Sequence, residues 1–172
     1  MKTLLISGSP RKGNTEFILN KIYDSLNGEK ELVLLKNKNI QHCRGCFACK
    51  ETKRCVMNDD MAEILDKMVW ADTIVIGTPS YYYNVSGLLK DFMDRTIPLY
   101  ETGKFTNKKI VVTVTYGEED EGNKMVGNMI KAFADINEMN FISAHYFKGL
   151  DPDDVKNIDV DLMSKIIKEI EK

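Results

Sequence analysis

All four cysteines of the chain fall within CRGCFACKETKRC, residues 43–55, at the spacing C-x2-C-x2-C-x5-C. Thiols gathered in this way can form disulfides, hold a metal, carry electrons or simply pack. Length argues against the first use, because 172 residues are enough for one domain that buries most of its surface without covalent staples. The amino terminus, MKTLLISGSPR, has no apolar stretch of signal-peptide length, and no apolar run approaches the ~18 residues of a membrane span. The chain therefore reads as soluble and cytoplasmic, in a compartment that keeps thiols reduced, where clustered cysteines point to metal binding or redox chemistry. Structural zinc usually takes two C-x-x-C knuckles roughly a dozen or more residues apart. No second knuckle is present, which disfavours zinc and leaves it open. Lys36, Lys38, Arg44, Lys50, Lys53 and Arg54 surround the cysteines with only Glu51 opposing them, a local charge that favours thiolate over thiol.

A second stretch able to do chemistry is GSPRKGNT, residues 8–15. It follows an apolar run and opens a helical pattern, so free backbone N–H groups and the helix dipole favour an anion there, and a phosphate is the obvious tenant. Gly8 and Gly13 allow tight backbone, Ser9, Asn14 and Thr15 can donate hydrogen bonds, and Arg11 can add a charge-assisted one. The alternative is a capped turn in which Asn14 and Thr15 only start the helix. The stretch is neither G-x-G-x-x-G nor G-x-x-x-x-G-K-[ST], which argues against a dinucleotide fingerprint and a nucleoside-triphosphate loop. A third stretch, PSYYYN at 79–84, offers aromatic faces beside an amide that can donate and accept. If it is extended, alternation sends Tyr82 the opposite way from Tyr81 and Tyr83.

The elements that must position these residues alternate short apolar strands with segments of helical period, the pattern of β-α units around a parallel sheet. Strands are expected at 2–7, 31–36, 72–78, 109–115 and 141–147. Helical stripes are expected from Phe17 to Leu26, at Met61–Met68, at Leu88–Met93 with Ser86 as N-cap, from Met125 towards Ile136, and at Leu162–Ile170. With right-handed crossovers, ligands bind outside the carboxyl ends of the strands. That edge carries Ser7–Asn14, the cysteine segment, Pro79–Val85 and Tyr116–Asn123. Glu118, Glu119, Asp120 and Glu121 read as a solvated acidic loop. His42 reads as a solvated loop residue and His145 as a strand residue with a local partner. One domain, 1–172, with a cysteine-rich loop at about 37–58, is expected; a net charge of -2 excludes a polybasic nucleic-acid binder.

GSPRKGNT, TPSYYYNVSGLLKDFMDR at 78–95 and VTVTYG at 112–117 together resemble the flavodoxin-like NAD(P)H-dependent FMN reductase superfamily. The resemblance implies an α/β fold, a doubly wound five-stranded parallel sheet of order 2-1-3-4-5 with helices on both faces. It further implies that Ser9, Arg11, Asn14 and Thr15 hold the FMN phosphate. Pro79, Ser80, Tyr81, Tyr82 and Asn84 would flank the isoalloxazine, and Thr115, Tyr116 and Gly117 would close its far side. The cysteine spacing, with DDM at 59–61, resembles the iron-sulfur flavoprotein branch. In that branch Cys43, Cys46, Cys49 and Cys55 would ligate one 4Fe-4S cluster, as compact C-x-x-C-x-x-C runs do in ferredoxins.

FMN takes up a hydride and can release electrons singly, whereas an iron-sulfur cluster passes one at a time, so a domain holding both converts between the two modes. The expected function is electron transfer between FMN and the cluster. The alternatives are a clusterless NAD(P)H-dependent reductase of flavins, quinones or nitroaromatics, and a non-enzymatic flavin-binding or zinc-stabilised regulatory module. No catalytic acid, triad or paired carboxylates are apparent. The donor is NAD(P)H or ferredoxin, the acceptor a small molecule or protein, and the resemblance implies a homodimer or homotetramer. The nineteen residues from Asn37 to Cys55 are long for an unstructured connection and are expected to be mobile without the cluster.

Overall fold

The computed structural model describes residues 1–118, 121–150, 154–156 and 158–172. Glu119 and Asp120 of the expected acidic loop lie outside the described residues. Five strands, β1 (Lys2–Ser7), β2 (Glu29–Leu34), β3 (Thr73–Pro79), β4 (Lys109–Tyr116) and β5 (Asn140–Lys148), form a sheet of order β2-β1-β3-β4-β5. Every pairing is parallel. The flavodoxin-like doubly wound sheet expected from the resemblance is therefore present.

The second strand lies at 29–34, not at 31–36. Its partner β1 sets both ends: Lys2 pairs with Glu29 and Ser7 with Leu34, so beyond Leu34 no ladder remains. Leu35–Asn37 turns instead into one 3-10 coil. Parallel strands buried on both faces need apolar residues at every position. β3 supplies Ile74, Val75 and Ile76, and Thr73 to Thr78 are all buried.

The helices cover both faces. α1 (Asn14–Ser25) and α6 (Val160–Glu171) pack Ile18, Leu19, Ile22, Ile166 and Ile170 against Leu5, Val75 and Val111. On the opposite face, α3 (Met61–Trp70), α4 (Gly87–Asp94) and α5 (Lys124–Ile136) bring Ile64, Met68, Leu89, Phe92, Val126 and Ile130 onto Leu4, Ile6, Ile74 and Val112. Adjacent strand residues, such as Leu4 and Leu5, thus serve different cores, as a period of two requires. Ser86 caps α4 by accepting from the Leu89 N–H at 3.1 Å. The short α2 (Ala48–Thr52) lies inside the cysteine segment.

Candidate functional site

The carboxyl ends of β1, β3, β4 and β5 open onto a cleft of about 110 Å³. Its walls include Ser9, Arg11, Asn14 and Thr15 from the first loop, and Pro79, Ser80 and Tyr81 from the third strand's end. Thr115, Tyr116 and Gly117 complete it from β4. The structure thus brings ten of the twelve expected cofactor residues to one place. Tyr82 and Asn84 are exposed and lie outside it.

Asn14 and Thr15 open α1 in sequence, yet neither caps it. Asn14 Nδ2 donates to the Gly149 carbonyl at 2.9 Å, and the Thr15 and Thr115 hydroxyls are 2.8 Å apart. The N-cap position falls to Gly13, which has no side chain to offer. Asn14 and Thr15 therefore do not cap the helix they start, and its first N–H groups have no capping side chain, at a helix end where the dipole favours an anion. Asn14 Oδ1 is buried without a partner, an acceptor waiting for a hydroxyl or amide hydrogen. Ser9 closes the preceding turn by donating to the Arg11 carbonyl at 2.8 Å, and Arg11 Nη2 reaches the Leu150 carbonyl at 3.3 Å.

The two glycines of this loop differ. A Cβ on Gly8 would lie 2.7 Å from Leu89 Cβ, so Gly8 lets the loop pack on α4. Gly13 has extended backbone and open space around it, and needs no glycine for steric reasons.

Thr115 lines the cleft and shares its hydroxyl with Thr15. Gly149 and Leu150 also line the cleft. They were missed because the strand ends considered stopped at the fourth; the signal was Gly149 immediately after the fifth strand.

The tyrosine run is not extended. Tyr81 and Asn84 exchange both backbone hydrogen bonds, at 2.9 and 3.0 Å, around Tyr82 and Tyr83 at φ 50° and 58°. This is a two-residue hairpin turn of the kind that ordinarily takes Asn-Gly. Tyr82 projects fully into solvent, so a turn stands where side-chain alternation along an extended run was expected.

The cysteines form a second site. All four are free thiols, and together with Phe47, Val56, Arg95 and Ile97 they line one small cavity. The segment is not structureless. Gly45 and Phe47 in left-handed backbone fold it back into α2, and Lys53 ends that helix in the same conformation. Its two ends are stapled by one buried ion pair. Arg95, just beyond α4, donates through Nη1 and Nη2 to Asp59 at 2.7 and 2.9 Å, with both side chains 1% exposed. Arg95 Nη1 also donates to the Gln41 carbonyl at 2.7 Å, and Asp59 accepts from the Gln41 and Met61 N–H groups. Burial works against the Asp59 charge, but these hydrogen bonds outweigh it and hold its carboxyl below the usual range. Burial likewise opposes the Arg95 charge, and Asp59 more than restores it.

Two of the six basic residues expected around the thiols are engaged elsewhere: Lys36 pairs with Glu16 at 2.6 Å and Lys38 with Glu63 at 2.9 Å. His42 is exposed and bonds Asp91 at 2.6 Å, while the buried His145 bonds Glu169 at 2.8 Å. A surface groove of about 560 Å³ lies between α1 and α6 and contains none of the motif residues.

The pattern of the NADPH-dependent FMN reductase family matches residues 1–149. The chain belongs to that family. It is accordingly a flavin-dependent oxidoreductase that uses FMN. An iron-sulfur flavoprotein of Archaeoglobus fulgidus is 37% identical across 78% of this chain and 68% of its own length. Another, from Methanocaldococcus jannaschii, is 36% identical across 94% of this chain and 90% of its own. A solved flavone reductase superposes with TM-score 0.73 at 20% identity, covering 98% of this chain but only 60% of the reductase. The Trp repressor binding protein of Bacillus subtilis superposes at 0.72 with 18% identity, covering 99% and 97%. Both likenesses describe the fold. Among the described residues no helix of this family member is long and apolar enough to cross a membrane.

Proposed function

We propose that the chain moves electrons between an FMN seated on the α1 cleft and a 4Fe-4S cluster held by Cys43, Cys46, Cys49 and Cys55. The observation that carries the flavin half is the helix start at Gly13. Asn14 and Thr15 are turned away to Gly149 and Thr115, so the amide groups of the first turn are left for a phosphate, with Arg11 at the rim. The fit extends past the phosphate, because the unpaired Asn14 Oδ1 is an acceptor that a ribityl hydroxyl would satisfy. A cleft of about 110 Å³ suits the phosphate end and leaves the ring outside, where the turn at Tyr81–Asn84 presents aromatic faces.

The cysteine half rests on four free thiols lining one cavity. Four thiolates match the four irons of a cube, and their spacing is too compact for the usual two-knuckle zinc site. The name shared by the two archaeal relatives supports the same reading. When bound, FMN supplies two-electron hydride chemistry and the cluster one-electron transfer. The protein's part is to bind, orient and tune both groups. NAD(P)H or ferredoxin would donate, a small molecule or protein would accept, and the working unit would be a homodimer or homotetramer in the cytoplasm.

Anaerobic purification followed by iron, sulfide, zinc and flavin analysis tests the reading. One FMN and about four irons per chain are expected, with visible absorption that bleaches on reduction. Arg11→Ala should weaken FMN binding about tenfold, a loss of ~1.4 kcal/mol. Zinc in place of iron, or full reductase activity after all four cysteines become serine, would leave a clusterless FMN reductase.

A further inference from the structure

Arg95 has five N–H donors, and the staple described above uses its two terminal nitrogens on Asp59 and the Gln41 carbonyl. Three of the five are spent in this way, and Nε–H, on the remaining nitrogen, is buried and has no partner. An unpaired N–H of a buried guanidinium is costly, and such groups call for an explanation. The surroundings supply one. Arg95 lines the same small cavity as the four cysteines, and of these Cys55, together with Asp59, favours the charged form of its guanidinium. The fork fixed on Asp59 leaves the side chain no freedom to turn Nε elsewhere, so this donor is held in place before any ligand arrives.

We infer that Arg95 Nε–H is a built-in hydrogen-bond donor to the Cys55 sulfur of the bound cluster, and that it raises the cluster's reduction potential. The inference rests on the cluster reading of the proposed function. Reduction adds one negative charge to the cluster and its thiolates. A donor fixed beside one of those sulfurs stabilises the reduced state more than the oxidised one, and hydrogen bonds to sulfur are among the main determinants of such potentials. Arg95 is thus a positioning and tuning residue. Because it follows α4, which is separated by two residues from the Tyr81–Asn84 turn, the same helix carries the tuning donor at one end and the aromatic turn before the other.

The test separates the donor from the ion pair. Arg95→Lys keeps a positive charge for Asp59 and removes Nε–H; Arg95→Gln with Asp59→Asn removes the donor while leaving no unpaired buried charge. Each anaerobic protein, with wild type alongside, is titrated with a chemical reductant and mediators while the reduced cluster is followed by electron paramagnetic resonance, and iron is counted. At the wild-type midpoint poise, both variants should show the oxidised-to-reduced ratio raised about tenfold, equivalent to a potential lower by ~59 mV for one electron. Iron content and the shape of the signal should be unchanged. Unchanged potentials with iron retained would overturn the inference. So would loss of iron from both variants, which would make Arg95 an anchor and nothing more. Wild-type protein without iron would instead bring down the cluster reading itself.

Discussion

The cleft at the strand ends and the cysteine segment sit on one domain but are built in opposite ways. The cleft gathers residues 9–15, 79–81, 115–117 and 149–150, and its pairs span long separations: Thr15 with Thr115, Asn14 with Gly149. Nothing in it can form before the sheet does. The cysteine segment is contiguous, its thiols are exposed or half-buried, and it meets the sheet's helices through the buried Arg95–Asp59 pair and through the more exposed His42–Asp91 and Lys38–Glu63 contacts. One site is therefore preorganised by topology and the other by sequence spacing plus one buried ion pair. The first should lose function gradually as single side chains are removed, whereas the second should depend on its staple.

The largest expected effect follows from that staple. Arg95→Ala leaves the Asp59 carboxylate buried beside two backbone N–H groups without its counter-ion, which should cost about 3–5 kcal/mol of stability. Urea unfolding would show a fall of that size, and a loss under ~1 kcal/mol would mean that the pair behaves like a surface salt bridge and the segment is held by something else.

The cleft should respond more mildly, and reparably. Thr15→Val strands the Thr115 hydroxyl in a buried place and should cost about 1–3 kcal/mol. The double change Thr15→Val with Thr115→Val removes both partners and should recover most of that loss, since two apolar groups of the same shape need no hydrogen bond. Additive losses in the double-mutant cycle would deny the coupling between α1 and β4.

This difference also explains what could be read from the sequence. The strands and the carboxyl edge were legible because buried parallel strands are continuous apolar runs, and the gathering of residues 9–15 at that edge was legible because ligand clefts open beyond the carboxyl ends of the strands. The cysteines were legible because their spacing is local. Three features were not. The two-residue offset of β2 comes from β1, whose six residues dictate where pairing stops. The contribution of Gly149 depends on β5 ending beside β1's loop, a juxtaposition that only the assembled sheet creates. The tyrosine turn defeats residue-type rules outright, because Tyr82 and Tyr83 occupy backbone that normally selects glycine or asparagine.

That turn offers a smaller effect, opposite in sign. Tyr82→Asn with Tyr83→Gly places the preferred residues at positive φ and should stabilise the fold by ~1 kcal/mol. Strain kept at such a position suggests use, so the same change should weaken FMN binding. Greater stability with unchanged flavin affinity would show that the rings play no part in the site.

The smallest effect is a pH response that should be absent from the neutral range. The Asp59 carboxyl is held below its ordinary value, so its unfolded counterpart takes up a proton first as pH falls. The stability it contributes is complete above the unfolded value of about 3.9, and it disappears only as pH drops through the lower folded value. Arg95 is pushed above its own usual value and stays charged throughout. The Gln41 and Met61 N–H groups donate to Asp59, and their hydrogen-exchange protection reports directly on the staple. Once the intrinsic pH dependence of exchange is divided out, that protection should be flat from pH 8 to about 5 and fall only below about 4. Protection that declines between pH 7 and 5 would mean that a group other than Asp59 fastens the cysteine segment to the sheet, and the contrast between the two sites would need a different physical basis.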